Sequence, residues 1–459
     1  MTIWTPTLEE GPPRYRAIAD AIAEDLASGR LTHGDRLPTH RQLARALGVT
    51  VGTVSRGYAE AERRGLTSGE VGRGTFVRGA VAADPWPESA PADGGTVDLS
   101  LSLPASLPEE GELLAETLQR IASDPETAGA LLKYQPETGS PRQRAVAARW
   151  LSRLGLRVRA EDLWITAGSQ HALNVVLSAV FRSGEVLLTE ELTYPAIKAQ
   201  ARAYGLRLRG VQLDAEGIHP DALERACRQE PRPTGLYVVP TIQNPTGVTQ
   251  SAERRKRLAE IAEAHGLWIV EDDVHAFLPR SPLPPIATFA PNRCLYLASV
   301  AKCLAPGLRT GYLIAPASLR RRLLAAIHTS LWMPPPLMVE LTTRWLEDGT
   351  AERLITAKRS ETEARQRRAR ELLAGHPAQA HPSGYQLWLE LPEPLYSEGV
   401  VSQARERGVI VVGAGAFAVD RHRVPQAIRL SLGAPSRPEL DRGLTILAEI
   451  LAGGGTLAY

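Results

Sequence analysis

Leu297-Ala298-Ser299-Val300-Ala301-Lys302-Cys303-Leu304-Ala305-Pro306-Gly307-Leu308-Arg309-Thr310-Gly311-Tyr312 is a short apolar run that gives way to a single lysine and then to a Pro- and Gly-containing turn. The lysine stands out against the composition. Among 459 residues there are 48 arginines and only five lysines, so wherever charge alone is wanted the chain uses Arg. Lys302 therefore points to a task that a guanidinium cannot perform: Arg does not form an imine, whereas a lysine in a water-poor pocket has its pKa lowered and becomes a nucleophile.

Outward from this segment, short apolar strands alternate with helical stretches: Glu185 to Leu188, Leu236 to Val239, Leu267 to Val270, Leu295 to Leu297 and Tyr312 to Ala315. This alternation predicts an α/β domain with a mostly parallel sheet and helices on both faces. From about Pro334 the pattern changes to long helices rich in Arg and Glu, followed by strands at Tyr385 to Leu389 and Ile428 to Leu432, which reads as a smaller α+β subdomain over about 334–459. The length itself favours two or three domains. Residues 79–96, rich in Pro, Ala and Gly without an apolar period, read as a linker between a domain at 12–78 and one at 97–459.

Several polar motifs sit where open α/β sheets gather ligands, at the C-terminal ends of strands. Thr166-Ala167-Gly168-Ser169-Gln170 follows the strand-like Leu163 to Ile165 and opens a helix, whose first N–H groups suit a phosphate. Tyr194-Pro195, Asn244-Pro245-Thr246-Gly247 and Glu271-Asp272-Asp273-Val274-His275 follow further strands. Ile428-Arg429-Leu430-Ser431-Leu432 buries one arginine in an apolar strand, where it needs a partner.

Taken together, these segments resemble the fold-type I aminotransferases that use pyridoxal 5′-phosphate (PLP). The resemblance implies that Lys302 forms a Schiff base with the cofactor, and that Gly168, Ser169, Gln170, Ser299 and Arg309 hold its phosphate. Tyr194 would stack on the pyridine ring and Asn244 would bind O3′. Asp272 would pair with the ring nitrogen, keeping it protonated so that the ring acts as an electron sink. Related proteins place a tyrosine two or three residues after this Asp. Here Val274 and His275 stand there, and His275 is either a substitute O3′ partner or a core histidine. Arg429 would clamp a substrate α-carboxylate bidentately, the alternative being a structural salt bridge. Tyr134, ahead of Glu137-Thr138-Gly139-Ser140-Pro141, resembles the tyrosine that reaches the phosphate of a neighbouring subunit. Leu99-Ser100-Leu101-Ser102-Leu103-Pro104 departs from the family's Ser-x-Gly-x-Pro pattern, with Leu103 near the usual glycine, which leaves the shape of the substrate entrance open.

The N-terminal part is separate in character. Tyr15, Ile18, Ala19, Ile22 and Leu26 recur at helical spacing; a second helix is capped by Thr39 and ends at Gly48; a third runs from about Thr50 to Arg64. Leu66 to Ser68, a turn at Gly69-Glu70 and Gly72 to Val77 read as a β-hairpin wing. From Arg30 to Arg78 nine arginines face four acids, a local basic excess hidden by a net charge of only +2. Leu37-Pro38-Thr39-His40-Arg41-Gln42, Thr50-Val51-Gly52-Thr53-Val54-Ser55-Arg56 and Gly72-Arg73-Gly74 resemble the winged helix-turn-helix of GntR-type regulators. In that family the third helix enters the major groove of double-stranded DNA. Arg41, Thr50, Thr53, Arg56 and Arg73 match contacting positions, and Val51 stands where arginine is common.

Both halves in this order resemble the MocR subfamily. That resemblance implies a head-to-tail homodimer and a regulator whose operator binding responds to PLP, or to a small amino compound, through Lys302. An active aminotransferase with an appended DNA-binding domain, and a regulator of vitamin B6 synthesis that responds to PLP itself, stay open beside it. The opening MTIWTPTLEEGPPRYR has no leader pattern and no apolar run approaches the ~18 residues of a membrane span, so a cytoplasmic protein is expected. Cys227, Cys294 and Cys303 lie far apart without ligand spacing, which argues against a disulfide framework or a metal site.

Overall fold

The computed structural model describes residues 4–6, 8, 13–27, 30–31, 35–63, 66–70, 74–77, 95–420 and 423–453. The chain divides into two compact units, Met1–Trp86 and Pro87–Tyr459.

In the first unit, α1 (Arg14–Ala27), α2 (His40–Leu47) and α3 (Val51–Arg63) bury Ile18, Ile22, Leu43, Val54 and Tyr58 in a small core. Thr39 opens α2 with a capping box: its hydroxyl accepts from the Gln42 amide at 3.4 Å and the Gln42 side-chain oxygen accepts from the Thr39 amide at 2.9 Å. Gly48, left-handed at φ 65°, closes α2, and Thr50 accepts the Thr53 amide at 3.1 Å to start α3. Where α1 and α3 cross, a Cβ on Gly57 would lie 2.9 Å from the Ile18 Cβ, so glycine permits the close approach. The wing pairs β1 (Thr67–Glu70) with β2 (Gly74–Val77) antiparallel, Glu70 opposite Gly74. Gly69 and Glu70 thus stay in the ladder instead of forming the turn expected there, and residues 71–73 lie outside the described residues.

Among the described residues of the second unit, a seven-stranded sheet is built from β3 (Leu163–Thr166), β4 (Val186–Glu190), β5 (Arg207–Val211), β6 (Pro233–Val238), β7 (Trp268–Asp272), β8 (Cys294–Ser299) and β9 (Gly311–Ile314). Their order is β3-β9-β8-β7-β6-β4-β5. The pairs β8/β7, β7/β6, β6/β4 and β4/β5 are parallel, and β9 runs antiparallel to both its neighbours. Neighbouring side chains enter opposite cores: Leu236, Val238 and Ile269 lie on one face, Tyr237 and Val270 on the other. That double burial explains why the strands read as unbroken apolar runs. The edge strand β5 escaped that reading because Arg207 and Arg209 keep it polar. α4 (Ser169–Val180) follows β3.

The smaller layer centres on the antiparallel pair β10 (Gln386–Glu390) and β11 (Ala427–Ser431). Its core does not follow a single boundary near 334. α5 (Pro336–Glu347) and the start of α6 (Thr350–Leu372) put Val339, Trp345 and Leu354 into a core of the large sheet, and only the far end of α6, with Ala369, belongs to the small one. Val97–Asp98 pairs with Val409–Ile410, and Val97 and Leu99 are buried in the small core. A 23-residue helix spans about 35 Å, long enough to serve two cores. Among the described residues no helix is long and apolar enough to cross a membrane.

Replacing Gly57 by valine should destabilise the first unit by about 1–3 kcal/mol through overpacking against Ile18. Urea unfolding should show a lower midpoint for that unit's transition and an unchanged one for the second unit.

Candidate functional site

Lys302, three residues past the end of β8, donates from Nζ to the Ser102 carbonyl. Burial and then the positive charge of Arg429 pull its pKa down to about 8, while the Asp272 carboxylate works in the opposite direction. Asp272 is the last residue of β7. Its Oδ2 accepts from the Tyr237 hydroxyl at 2.7 Å, and its Oδ1 is buried without a hydrogen-bond partner among the described residues. Burial pushes this carboxyl up to about 6, against the Tyr237 hydrogen bond; the neighbouring Asp273 adds to the rise and Lys302 opposes it. Tyr237 was not singled out from the sequence, since a single tyrosine in an apolar strand reads as core.

At the start of α4, Gly168 has φ 84° and no side-chain cap covers the first turn. Arg309, also left-handed at φ 46°, donates from Nη2 to the Ala167 carbonyl at 3.2 Å. A Cβ on Gly168 would come within 2.8 Å of that nitrogen, so glycine lets the guanidinium rest on the helix start. Ser299 donates to the Thr310 carbonyl and accepts from the Ala301 amide, both at 3.1 Å, which fixes its hydroxyl. Gln170 donates to the Tyr194 hydroxyl at 2.7 Å and is itself held by Gln200 at 2.6 Å, so it positions the tyrosine.

Arg429, buried on β11, donates to the Asn244 side chain at 3.3 Å and to the Ser100 carbonyl, and its guanidinium lies 5.1 Å from the centre of the Phe417 ring. Its Nε is buried without a partner, and no carboxylate pairs with it among the described residues, so the salt-bridge alternative is not what holds it. Burial lowers its pKa to about 10, while Tyr194 and then Asp98 act to raise it. His275 is 3% exposed, and neither ring nitrogen finds a hydrogen-bond partner of good geometry among the described residues. Burial, with Lys302 nearby, drives its pKa down to about 3, so the imidazole is neutral. Tyr134 is not brought to this cleft within one chain: it is 82% exposed, 6.1 Å from the Trp332 ring.

The cleft thus offers an anion seat at an uncapped helix start beside Arg309, a buried carboxylate oxygen that lacks a donor, an amine of lowered pKa, and a guanidinium that lacks an acid. A molecule with a phosphate, a protonated ring nitrogen and an aldehyde fits the first three, and a carboxylate fits the fourth.

On the first unit, Arg41, Thr50 and Arg56 are exposed, and Thr50 and Thr53 share a hydroxyl hydrogen bond of 2.8 Å at the head of α3. The Arg56 guanidinium lies 4.5 Å from the centre of the Tyr15 ring. Val51 is 45% exposed beside them. Arg73 lies outside the described residues.

The family model "Aminotransferase class I and II" matches residues 108–447, and that of the bacterial regulatory proteins of the gntR family matches residues 14–77. The uncharacterized HTH-type transcriptional regulator YdeF of Bacillus subtilis is 29% identical over 450 residues, which cover 98% of this chain and 96% of that protein. The 2-aminoadipate transaminase of Thermus thermophilus is 31% identical over 369 residues, 78% of this chain and 91% of that one. Among solved structures, the α-aminoadipate aminotransferase LysN of Thermus thermophilus, complexed with N-(5′-phosphopyridoxyl)-L-leucine, superposes with a TM-score of 0.72 at 31% identity, covering 79% of this chain and 94% of that one.

A lysine with a pKa of about 8 is about one-tenth neutral at pH 7, against well under one-thousandth for an ordinary lysine. Because the neutral amine attacks the aldehyde carbon with loss of water, the rate at which Lys302 captures PLP should rise with pH and level off above about 8. Stopped-flow absorbance checks this; a rate still climbing at pH 10 contradicts the lowered pKa.

Proposed function

The chain belongs to the aminotransferase class I and II family and carries a GntR-family DNA-binding domain ahead of it, and from that premise we propose a transcription regulator of the MocR kind whose second unit senses PLP and a small amino compound. The observation that carries the reading is the set of buried polar atoms without partners around Lys302, in a chain that also bears a winged helix-turn-helix. When bound, the cofactor supplies an aldehyde that condenses with amines and a ring that draws off electrons.

Lys302 would hold that aldehyde carbon, and Asp272, through Oδ1, would pair with the ring nitrogen and keep its proton; Gly168, Ser169, Gln170, Ser299 and Arg309 would hold the phosphate, Tyr194 the ring, and Asn244 and His275 the O3′ group. Arg429 takes the carboxylate of the amino compound. Tyr134 completes the phosphate seat of the other subunit in a head-to-tail homodimer, to which its exposure is suited. Arg41, Thr50, Thr53, Arg56 and Arg73 grip the operator, phosphates through the arginines and base edges from the head of α3. The setting for such a molecule is the cytoplasm.

A second reading, an active aminotransferase with a DNA-binding appendage, is favoured by the lowered pKa of Lys302 and by the 31% identity to a transaminase. Sustained turnover with an amino donor and a keto acid distinguishes it from a single half-reaction.

Lys302→Ala should abolish the visible absorbance band that PLP produces in the wild-type protein and should remove any effect of PLP or amino compounds on the operator footprint. A footprint that responds equally in both proteins would sink the sensing role. Arg41→Ala should weaken operator binding across sequences and reduce the slope of log affinity against log salt by about one.

A further inference from the structure

Two cations of the cleft, Lys302 and Arg429, are bound by one short piece of chain. Arg429 Nη2 donates to the Ser100 carbonyl and Lys302 Nζ to the Ser102 carbonyl. The ends of this piece are fixed by other means. The Leu99 amide donates to the Ile410 carbonyl and the Leu99 carbonyl accepts from the Ser431 amide, both at 2.8 Å. At the far end the Ala105 carbonyl accepts from buried Lys358 at 2.6 Å, and Lys358 is ion-paired with Glu110. Between these anchors the backbone runs against Gly433, where a Cβ would collide with the Leu103 carbonyl.

We propose that residues 100–104 form a strap over the cleft, latched by Lys302 and Arg429, and that ligands open it by competing for those two side chains. The proposal rests on the functional reading above, in which Lys302 holds the cofactor and Arg429 a carboxylate. A lysine nitrogen bonded to the cofactor keeps at most one N–H, and so loses the fan of ammonium donors that reaches Ser102. A carboxylate offers Arg429 two charged acceptors in the fork geometry that a single peptide carbonyl cannot match, and so displaces Ser100. The two latches are independent donors on alternate residues of one strap. Cofactor alone releases the Lys302 latch and a carboxylate releases the Arg429 latch; an amine that takes the place of Lys302 on the aldehyde carbon sets the lysine free as an amine that can return to Ser102, so a carboxylate-bearing amine exchanges one open latch for the other, and an amine without a carboxylate leaves both closed.

Two amides report the latches: that of Ser100, which donates to Asp98 at 2.7 Å, and that of Leu103, which donates to the Leu101 carbonyl at 2.7 Å. Hydrogen–deuterium exchange is measured on the full chain, prepared without and with PLP, for wild type, Lys302→Met and Arg429→Met. Loss of one charge-assisted hydrogen bond should speed exchange about tenfold. In wild type PLP should do this at Leu103 with Leu99 unchanged. Lys302→Met without PLP should match it, and Arg429→Met should speed Ser100. If wild type develops the visible PLP band while Leu103 exchanges no faster, the strap is not latched by Lys302 and the proposal falls alone. If no band forms, the sensing function and the strap fall together.

Discussion

Two positive charges share one buried cleft, and that constraint governs how the second unit is put together. Lys302 and Arg429 carry like charges, the charge of Arg429 adds to burial in lowering the lysine pKa, and both lie where water cannot fully solvate them. Removing an ion from water carries a penalty of several kcal/mol even after relaxation, against a total stability of about 5–15 kcal/mol for a typical domain. The chain answers with the Asp272 carboxylate, half used by Tyr237, with the charge of Asp98 acting on Arg429, and with peptide carbonyls. Carbonyls satisfy donors without neutralising charge. The residual positive potential is therefore complementary to an anionic ligand, and the sheet decides where it collects: Asp272 ends β7 and Lys302 follows β8, the adjacent parallel strand.

Much of this was legible in the sequence because single residues were conspicuous against their neighbours. One lysine among arginines, one arginine inside an apolar strand and a Gly-Ser-Gln at a strand-to-helix junction each violate a local expectation, and each lies in or beside the cleft. What escaped depends on distance along the chain. The Tyr237 hydroxyl meets Asp272 35 residues away, and Lys302 meets Ser102 200 residues away. Nothing at either end announces the other. The strand β5 was missed for a different reason: an edge strand that carries Arg207 in water and Arg209 on backbone carbonyls lacks the apolar run by which the six other strands were recognised. The extent of the smaller layer also could not be read locally, since one long helix gives side chains to two cores and Val97 returns from far upstream to join the second.

The first unit obeys a separate logic. Its core is small, and the two ends of α2 and the start of α3 are defined by Thr39, the left-handed Gly48 and Thr50, so these boundaries are specified by neighbours in sequence. That local specification is why a short stretch of sequence sufficed to read it. It also gives Thr50, at the head of α3, a double role, since a cap that fixes the helix start fixes the groups displayed there.

Under the proposed function the same residues would serve a sensor and an enzyme, because both would begin with the same event, an amine taking the place of Lys302 on the cofactor's aldehyde carbon while the lysine leaves as a free amine, under the charge of Arg429. What separates them is where the interaction energy is expressed. An enzyme needs contacts that strengthen as bonds are made and broken, whereas a sensor needs contacts that differ between two resting arrangements of the chain, since a ligand shifts an equilibrium only by its differential affinity. Contacts in which one cation holds a backbone carbonyl in one arrangement and a ligand in the other are of the second kind. Coupling between sites usually amounts to about 1–3 kcal/mol, and a hydrogen bond from a charged donor contributes about 1.5–3 kcal/mol. One such exchange at Ser100 or Ser102 is thus of the size that regulation requires, with no turnover needed.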